Sequence, residues 1–420
     1  MKEKNDSFII KGGKKLFGEV YVQTSKNACL PIISSSLLTT EKVKIKDCPD
    51  ILDVKNMILM LQKLGVKIDH DGKDLIIDSS GLNNVNLDCE LTKTMRSSIF
   101  LLGSLLQRFG TIMINTPGGC KIGARPIDIH IDAFKKLGVK VVCLGDCLFF
   151  DASRAKANKI HLKLPSVGAT ENIVQFACLL KGKTEIVNAA KEPEVVDLCN
   201  FLSLMGAKIL GAGTNKITIY GVDSLHGVEY RPIGDRIVAG TLMTAVALTG
   251  GELTLRNANA NQNEKLIDIL RRMGCQINIK HDIIKVTKSG RLNSIDVVTG
   301  YYPEFPTDLQ SMLLVLMCLA NGESRLQENI FENRFLIKDE LIKMGAQIHQ
   351  IDNRNVLVYG QNELRGCTVQ AKDLRGGASL VLAGLVAKGE TVVEGIPYID
   401  RGYDHFEDVL NSLGADIKRT

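Results

Sequence analysis

The sequence predicts an α/β protein of six similar units, divided into two domains of three. Three observations predict it. A short phrase ending in Leu-Gly or Met-Gly and a strand-like tail occurs six times at near-constant spacing. A second phrase, an almost wholly apolar helix followed by a strand, recurs through the chain. The length, 420 residues with 45% hydrophobic and 24% charged, suits a soluble chain of two to three domains.

The first phrase begins as Leu61-x-x-Leu64-Gly65-Val66-x-Ile68 and Phe134-x-x-Leu137-Gly138-Val139-x-Val141. It returns as Leu202-x-x-Met205-Gly206-Ala207-x-Ile209 and Leu270-x-x-Met273-Gly274-Cys275-x-Ile277. The last copies are Leu341-x-x-Met344-Gly345-Ala346-x-Ile348 and Leu410-x-x-Leu413-Gly414-Ala415-x-Ile417. The six glycines lie 73, 68, 68, 71 and 69 residues apart. Each copy reads as the end of a helix, a left-handed glycine just past it, and entry into a strand. Leu266, Ile269, Leu270 and Met273 form an i, i+3, i+4, i+7 stripe that supports the helix and belongs in a core.

The second phrase is seen at 173–180 with Gly182 and strand 185–188, at 309–320 with Gly322 and strand 324–329, and at 380–387 with Gly389 and strand 391–394. Its first copy has Thr39-Thr40-Glu41 where the others have glycine. A helix without a polar face, such as the run Ala245-Val246-Ala247-Leu248, belongs inside a domain. Each unit is therefore a βαβαβ-type module with one buried and one outer helix. Pro and Gly cluster at Tyr230-Arg231-Pro232-Ile233-Gly234, the expected boundary, giving a first domain over 22–232 and a second over 233–420. The strand-like stretch 7–21 could pair with either.

Composition excludes several function classes. A net charge of +5 implies no nucleic-acid partner but allows a locally basic pocket for a small anion. The longest apolar stretches, 237–248 and 312–320, are too short to span a bilayer. No apolar run follows the charged start, so no signal peptide is expected. The eleven cysteines are scattered without a Cys-x-x-Cys pair, which reads as a reduced, cytoplasmic protein. The seven histidines have no metal-ligand spacing, so neither metal nor cofactor is expected.

The informative positions are the first residues of the buried helices. They read Ser25-Lys26-Asn27-Ala28, Met95-Arg96-Ser97-Ser98, Ser166-Val167-Gly168-Ala169-Thr170, Gly234-Asp235-Arg236, Phe305-Pro306-Thr307-Asp308 and Asp373-Leu374-Arg375-Gly376-Gly377. Capping residues belong there, but Lys26, Arg96, Arg236 and Arg375 oppose the helix dipole. Singly, such a cation reaches to solvent. Several at equivalent places suggest an anion site, because helix N-termini already favour anions. Asp308 reads either as a first-turn acid or as a base among cations. One loop adds chemistry: Pro117-Gly118-Gly119-Cys120-Lys121-Ile122-Gly123-Ala124-Arg125-Pro126, in which Lys121 and Arg125 favour a Cys120 thiolate.

These motifs, with Lys93-Thr94-Met95-Arg96, Phe331-Glu332-Asn333-Arg334 and Asp400-Arg401-Gly402-Tyr403, resemble the enolpyruvyl transferases from end to end. Among these they are similar to the enzymes acting on UDP-N-acetylglucosamine. The resemblance implies two inverse α/β domains with internal threefold pseudosymmetry, a double hinge, an active site in the cleft, and the 1–21 segment in the second domain. It implies transfer of the enolpyruvyl group of phosphoenolpyruvate to the sugar 3-hydroxyl, by addition and elimination, as the first committed step of peptidoglycan synthesis. Cys120 would be the acid at the vinyl carbon and the residue alkylated by the epoxide fosfomycin. Asp308 would be the base, with Lys26 and Arg401 also catalytic. Lys26, Asn27, Arg125, Arg375 and Arg401 would hold phosphoenolpyruvate. Asn27, Arg96, Arg125, Pro126, Ile127, Asp128, Ile129, Ser166, Val167, Gly168, Asp308 and Ile330 would hold the nucleotide sugar. Leu164-Pro165 departs from the family, where a Lys-containing pair is common. The alternatives are the shikimate-pathway transferase, which lacks the Gly-Gly-Cys loop, and a non-catalytic sugar-nucleotide-binding paralogue. The paralogue predicts losses at Lys26, Cys120, Asp308 or Arg401, and all four are present.

Overall fold

In a computed structural model, residues 6–83, 99–115, 127–145 and 147–420 are described. The chain divides into two compact units. Among the described residues, one comprises 6–23 and Gly234–Thr420, and the other those between Thr24 and Ile233. Each unit is a mixed α/β body with its own hydrophobic core.

Sheet construction follows one plan. A central strand takes a parallel neighbour on one side, an antiparallel strand on the other, and a further antiparallel strand beyond that. In the 24–233 unit the central strands are Val43–Ile45 and Lys183–Val187, with parallel partners Glu229–Tyr230 and Lys159–His161. The third sheet has three described strands, Thr111–Asn115, Cys147–Asp151 and Lys140–Leu144, all antiparallel. In the other unit the central strands are Gly251–Arg256, Glu323–Gln327 and Glu390–Glu394. Ser7–Lys11 lies between Glu390–Glu394 and Ile417–Arg419, antiparallel to both, and Leu16–Tyr21 is parallel to Gly251–Arg256. The strands bury alternate residues, as Val356 and Val358 do in Asn355–Tyr359.

The recurring glycine phrase is a helix-ending device. All six glycines have positive φ, 92° at Gly65, 83° at Gly138, 104° at Gly206, 100° at Gly274, 95° at Gly345 and 101° at Gly414. In each copy the N–H after the glycine returns to the carbonyl five residues back: Val66 to Leu61, Val139 to Phe134, Ala207 to Leu202, Cys275 to Leu270, Ala346 to Leu341 and Ala415 to Leu410. This is the Schellman pairing, and it explains the phrase's composition. The glycine supplies the backbone turn, and an apolar residue on either side is the usual companion of this ending.

The apolar helices occupy the middle of each unit. Arg236–Thr249, Gln310–Cys318 and Leu374–Val386 pack against one another, and every residue of Gln310–Cys318 is buried. The counterparts Lys26–Ser35, Leu101–Phe109 and Val167–Ala177 depart from an all-apolar expectation. Their junction is polar: the Ser34 and Ser104 hydroxyls lie 3.2 Å apart, Ser104 Oγ donates to Gln175 Oε1 at 3.1 Å, and Gln175 Nε2 donates to the Pro31 carbonyl at 3.2 Å. Buried polar groups are tolerated because they satisfy one another. Among the described residues no helix is long and apolar enough to cross a membrane.

Candidate active site

In the unit containing 234–420, the charged groups gather around Asp308. Pro306 leads into the short turn Thr307–Leu309, which opens the helix Gln310–Cys318 and presents Asp308 with 30% of its side chain exposed. Arg375 Nη2 donates to Oδ2 at 3.0 Å, with its Nε at 3.3 Å. Arg334 Nη2 donates to Oδ1 at 3.0 Å, and its Nε donates to the Thr307 carbonyl at 3.3 Å. Both guanidiniums are buried. Each carboxylate oxygen thus has its own cation, an arrangement that orients the group and favours its charge.

Arg375 sits in the first turn of Leu374–Val386, where Asp373 accepts from the Arg375 and Gly376 N–H groups at 3.0 Å each. The cap offsets the misplaced cation at the helix start. Burial alone would lower the Arg375 pKa, but Asp308 and the Tyr403 side chain outweigh it and hold it raised. The guanidinium lies over the Tyr403 ring at 5.6 Å, and the Tyr403 hydroxyl meets Thr241 Oγ1 at 2.9 Å. Arg236 is likewise preceded by a capping Asp235 and stacks over Tyr302 at 5.6 Å. Arg401 closes the short helix Pro397–Asp400, and Ile330 lies half-buried just after Glu323–Gln327.

In the 24–233 unit, Lys26 opens its helix and pairs with Asp53, Nζ to Oδ2 at 2.7 Å, both side chains buried. Asp53 lies in the first turn of the outer helix Leu52–Lys63. Asn27 is half-buried one residue on. Ser166 caps Val167–Ala177 by accepting from the Ala169 N–H at 3.3 Å. Residues 127–129, at the start of Asp128–Lys136, meet 166–168 through His130 and Asn172. Asn172 Nδ2 lies 3.4 Å from His130 Nδ1 and donates to the Gly168 carbonyl at 3.1 Å, while Asn172 Oδ1 accepts from Gly103 N–H at 2.8 Å. A Cβ on Gly168 would stand 3.2 Å from His130 Cε1, a tight approach that the imidazole would have to yield to.

Two acids behind this surface are perturbed. Glu171 is fully buried, and neither carboxyl oxygen has a hydrogen-bond partner among the described residues. Burial, then Glu194 and Glu192, push it well above the usual carboxylate range. Asp197 is raised to about 6 by burial. The Tyr230 hydroxyl at 2.6 Å and the Ile233 N–H at 3.2 Å work the other way.

The structure therefore brings Asp308 and Arg375 together in one unit, and residues 127–129 and 166–168 in the other. Arg96, Cys120, Arg125 and Pro126 lie outside the described residues. Lys26 and Arg375, cations at helix starts, each meet a buried or half-buried carboxylate of their own unit. The partners that sequence reasoning missed are Asp53, which looks like any first-turn acid, and Arg334, present in a quoted motif without a role.

The family model for EPSP synthase, 3-phosphoshikimate 1-carboxyvinyltransferase, matches residues 10–410. A UDP-N-acetylglucosamine 1-carboxyvinyltransferase 2 of Caldanaerobacter subterraneus subsp. tengcongensis is 48% identical over 98% of this chain and 99% of its own length. The chain belongs to the UDP-N-acetylglucosamine 1-carboxyvinyltransferase family. A second family member, from Halothermothrix orenii, is 46% identical over 98% of this chain and 99% of its own. Among solved structures, the enolpyruvyl transferase NikO from Streptomyces tendae superposes with a TM-score of 0.89 at 24% identity, covering 99% of both chains. EPSP synthase from Acinetobacter baumannii superposes with a TM-score of 0.76 at 18% identity, covering 99% of this chain and 100% of its own. Those two likenesses bear on the fold, which this family member shares with other carboxyvinyltransferases.

Proposed function

We propose that the protein transfers the enolpyruvyl group of phosphoenolpyruvate to the 3-hydroxyl of UDP-N-acetylglucosamine, releasing phosphate, and so opens peptidoglycan synthesis. The observation that carries this reading is the 46–48% identity, over 98% of the chain, to relatives named for that transfer. A cytoplasmic location and two small-molecule substrates go with it.

The chemistry is an addition followed by an elimination. In the first step the sugar oxygen bonds to C2 of phosphoenolpyruvate, its proton leaves to a base, and an acid delivers a proton to C3. In the second, C3 loses a proton, the double bond reforms, and the C2–O bond to phosphate breaks. Asp308 is assigned as the base and Cys120 as the acid. Lys26, Asn27, Arg125, Arg375 and Arg401 are assigned to the phosphate and carboxylate of phosphoenolpyruvate, for which guanidinium forks and an ammonium are suited. Asn27, Arg96, 125–129, 166–168, Asp308 and Ile330 are assigned to the nucleotide sugar.

The two guanidiniums on Asp308 have a chemical cost. They aim the carboxylate, but they occupy acceptor sites that the sugar hydroxyl must share. A carboxylate has about four lone-pair sites, so the sugar hydroxyl can reach an Asp308 oxygen beside the guanidiniums or by displacing one. A coupled assay of phosphate release, run with UDP-N-acetylglucosamine and separately with 3-phosphoshikimate, tests the reading. Release that depends on the nucleotide sugar is expected. Release only with 3-phosphoshikimate, or with neither, would overturn it.

A further inference from the structure

Glu328 is a fully buried acid just after the strand Glu323–Gln327, and nothing in the proposed chemistry uses it. Its Oε1 accepts from two backbone N–H groups, Ile330 at 2.7 Å and Phe331 at 3.0 Å. Its Oε2 accepts from the Thr307 hydroxyl at 2.9 Å. Thr307 precedes Asp308, and Ile330 is one of the residues assigned to the nucleotide sugar. One carboxylate therefore holds both the segment carrying the base and the segment carrying a sugar contact.

Arg334 closes the arrangement from the other side. It follows Phe331 by three residues, lies over the Phe331 ring at 5.8 Å, and grips the Thr307 carbonyl and Asp308 Oδ1. The contacts form a ring: Glu328 to Thr307, Thr307 to Asp308, Asp308 to Arg334, Arg334 to Phe331, and Phe331 back to Glu328. The backbone of Glu328 is fixed as well, since its N–H donates to the Arg354 carbonyl at 2.7 Å and its carbonyl accepts from Arg354 Nη1 at 3.3 Å. Asn329 N–H donates to Thr299 Oγ1 at 2.9 Å. The turn 328–331 is thus anchored independently of Asp308, and the Glu328 side chain is the link from that anchor to Thr307.

We propose that Glu328 is a positioning residue that sets the distance and angle between the base Asp308 and the nucleotide-sugar contact at Ile330. The proposal rests on the functional reading above. Removing Glu328 takes the acceptor from the Ile330 and Phe331 N–H groups and the Thr307 hydroxyl in a partly buried place, which the chain relieves by shifting. A shift of about 1 Å between a base and the atom it must deprotonate can cost roughly 10²-fold in rate.

The test uses the full chain and compares wild type, Thr307→Val, Glu328→Gln and Glu328→Ala. It measures phosphate release across pH, with kcat and the nucleotide-sugar KM taken separately, and thermal unfolding of each protein. Thr307→Val cuts only the link to the base, so kcat falls about tenfold while the KM stays within about twofold. Glu328→Ala loosens both segments, so kcat falls about 10²-fold and the KM rises several-fold. Glu328→Gln keeps an oxygen for the two backbone donors and turns its NH₂ toward Thr307 Oγ1, so it rescues most of both. Wild-type kcat and KM in the folded fraction of Glu328→Ala, with only its melting temperature lowered, would make the role purely structural and overturn the proposal. If the Ala variant does not fold, an unchanged kcat in Thr307→Val overturns it equally. Wild-type protein that releases no phosphate with the nucleotide sugar would bring down the functional reading, and this proposal with it.

Discussion

Replacing Glu171 by glutamine should change how stability depends on pH. Its folded-state pKa is raised by burial above the ordinary 4.5, so above that pH the folded state holds a proton that the unfolded state has released. The associated stability is fully present below the unfolded pKa and is lost as pH rises through the folded one. Over that interval the loss is 2.303RT per unit, about 1.4 kcal/mol. Glutamine cannot titrate. Above pH 4.5 the variant should therefore gain on wild type with each unit until the pH passes the folded-state pKa. A pH-independent offset of about 1–3 kcal/mol accompanies it, because the new amide brings donors without acceptors. The slope is therefore diagnostic, whereas the sign at any one pH is not. Asp197, at about 6, titrates in both proteins and largely cancels. Hydrogen exchange of the Val167–Ala177 amides, comparing variant and wild type at each pH, removes the intrinsic pH dependence of exchange. A difference that stays flat across the range would refute the argument.

Asp308→Asn should lower turnover roughly 10²-fold or more with nucleotide-sugar affinity much less changed; near-normal turnover would remove it from the base role. The variant should also melt lower, since Arg334 and Arg375 lose their shared counter-charge. Cys120→Asp should retain substantial turnover with an altered pH profile and resist fosfomycin, while Cys120→Ser should be far weaker, because a hydroxyl is too poor an acid. Mass spectrometry should find the epoxide on Cys120 in wild type; label on another cysteine, or full activity in the Ser variant, would sink the assignment. Asp53→Leu removes the carboxylate 2.7 Å from the buried Lys26 ammonium and should lower stability, whereas Lys26→Met with Asp53→Leu should recover most of that stability and none of the turnover. Urea unfolding and the phosphate assay together check this, and a double variant as unstable as the single one would show that the ion pair is not the reason.

What could be read from the sequence was what local chemistry writes down. The Schellman ending needs glycine at one place and apolar residues around it, so Gly65 and its five counterparts announced six helix ends and the repeat. The Asp235 and Asp373 caps were visible because a cap touches its own helix. Interactions between distant segments were not. Asp53 and Lys26 are 27 residues apart, and Arg334 reaches Asp308 across 26. Sequence therefore displayed cations at helix starts without the carboxylates that already answer them. The polar junction of Ser34, Ser104 and Gln175 was hidden for the same reason: each looks like an isolated exception on an apolar helix. The residues of 7–21 alone left their partners open, because the hydroxyl of Ser7 meets that of Thr420 across 413 positions.

That last pairing affects how the chain is made. Every described strand of the 24–233 unit finds its partners within those residues, so on the ribosome its sheets can assemble as soon as that stretch has emerged. Ser7–Lys11 is synthesised before any of it, yet its neighbours are Glu390–Glu394 and Ile417–Arg419. At 5–20 residues per second the wait is roughly 20–80 s. Throughout that time a strand containing Phe8, Ile9 and Ile10 stands with both hydrogen-bonding edges open. Until residues 390–419 emerge, nascent chains of this protein therefore carry a strand with two open edges, the kind of ribbon that pairs with its own copies.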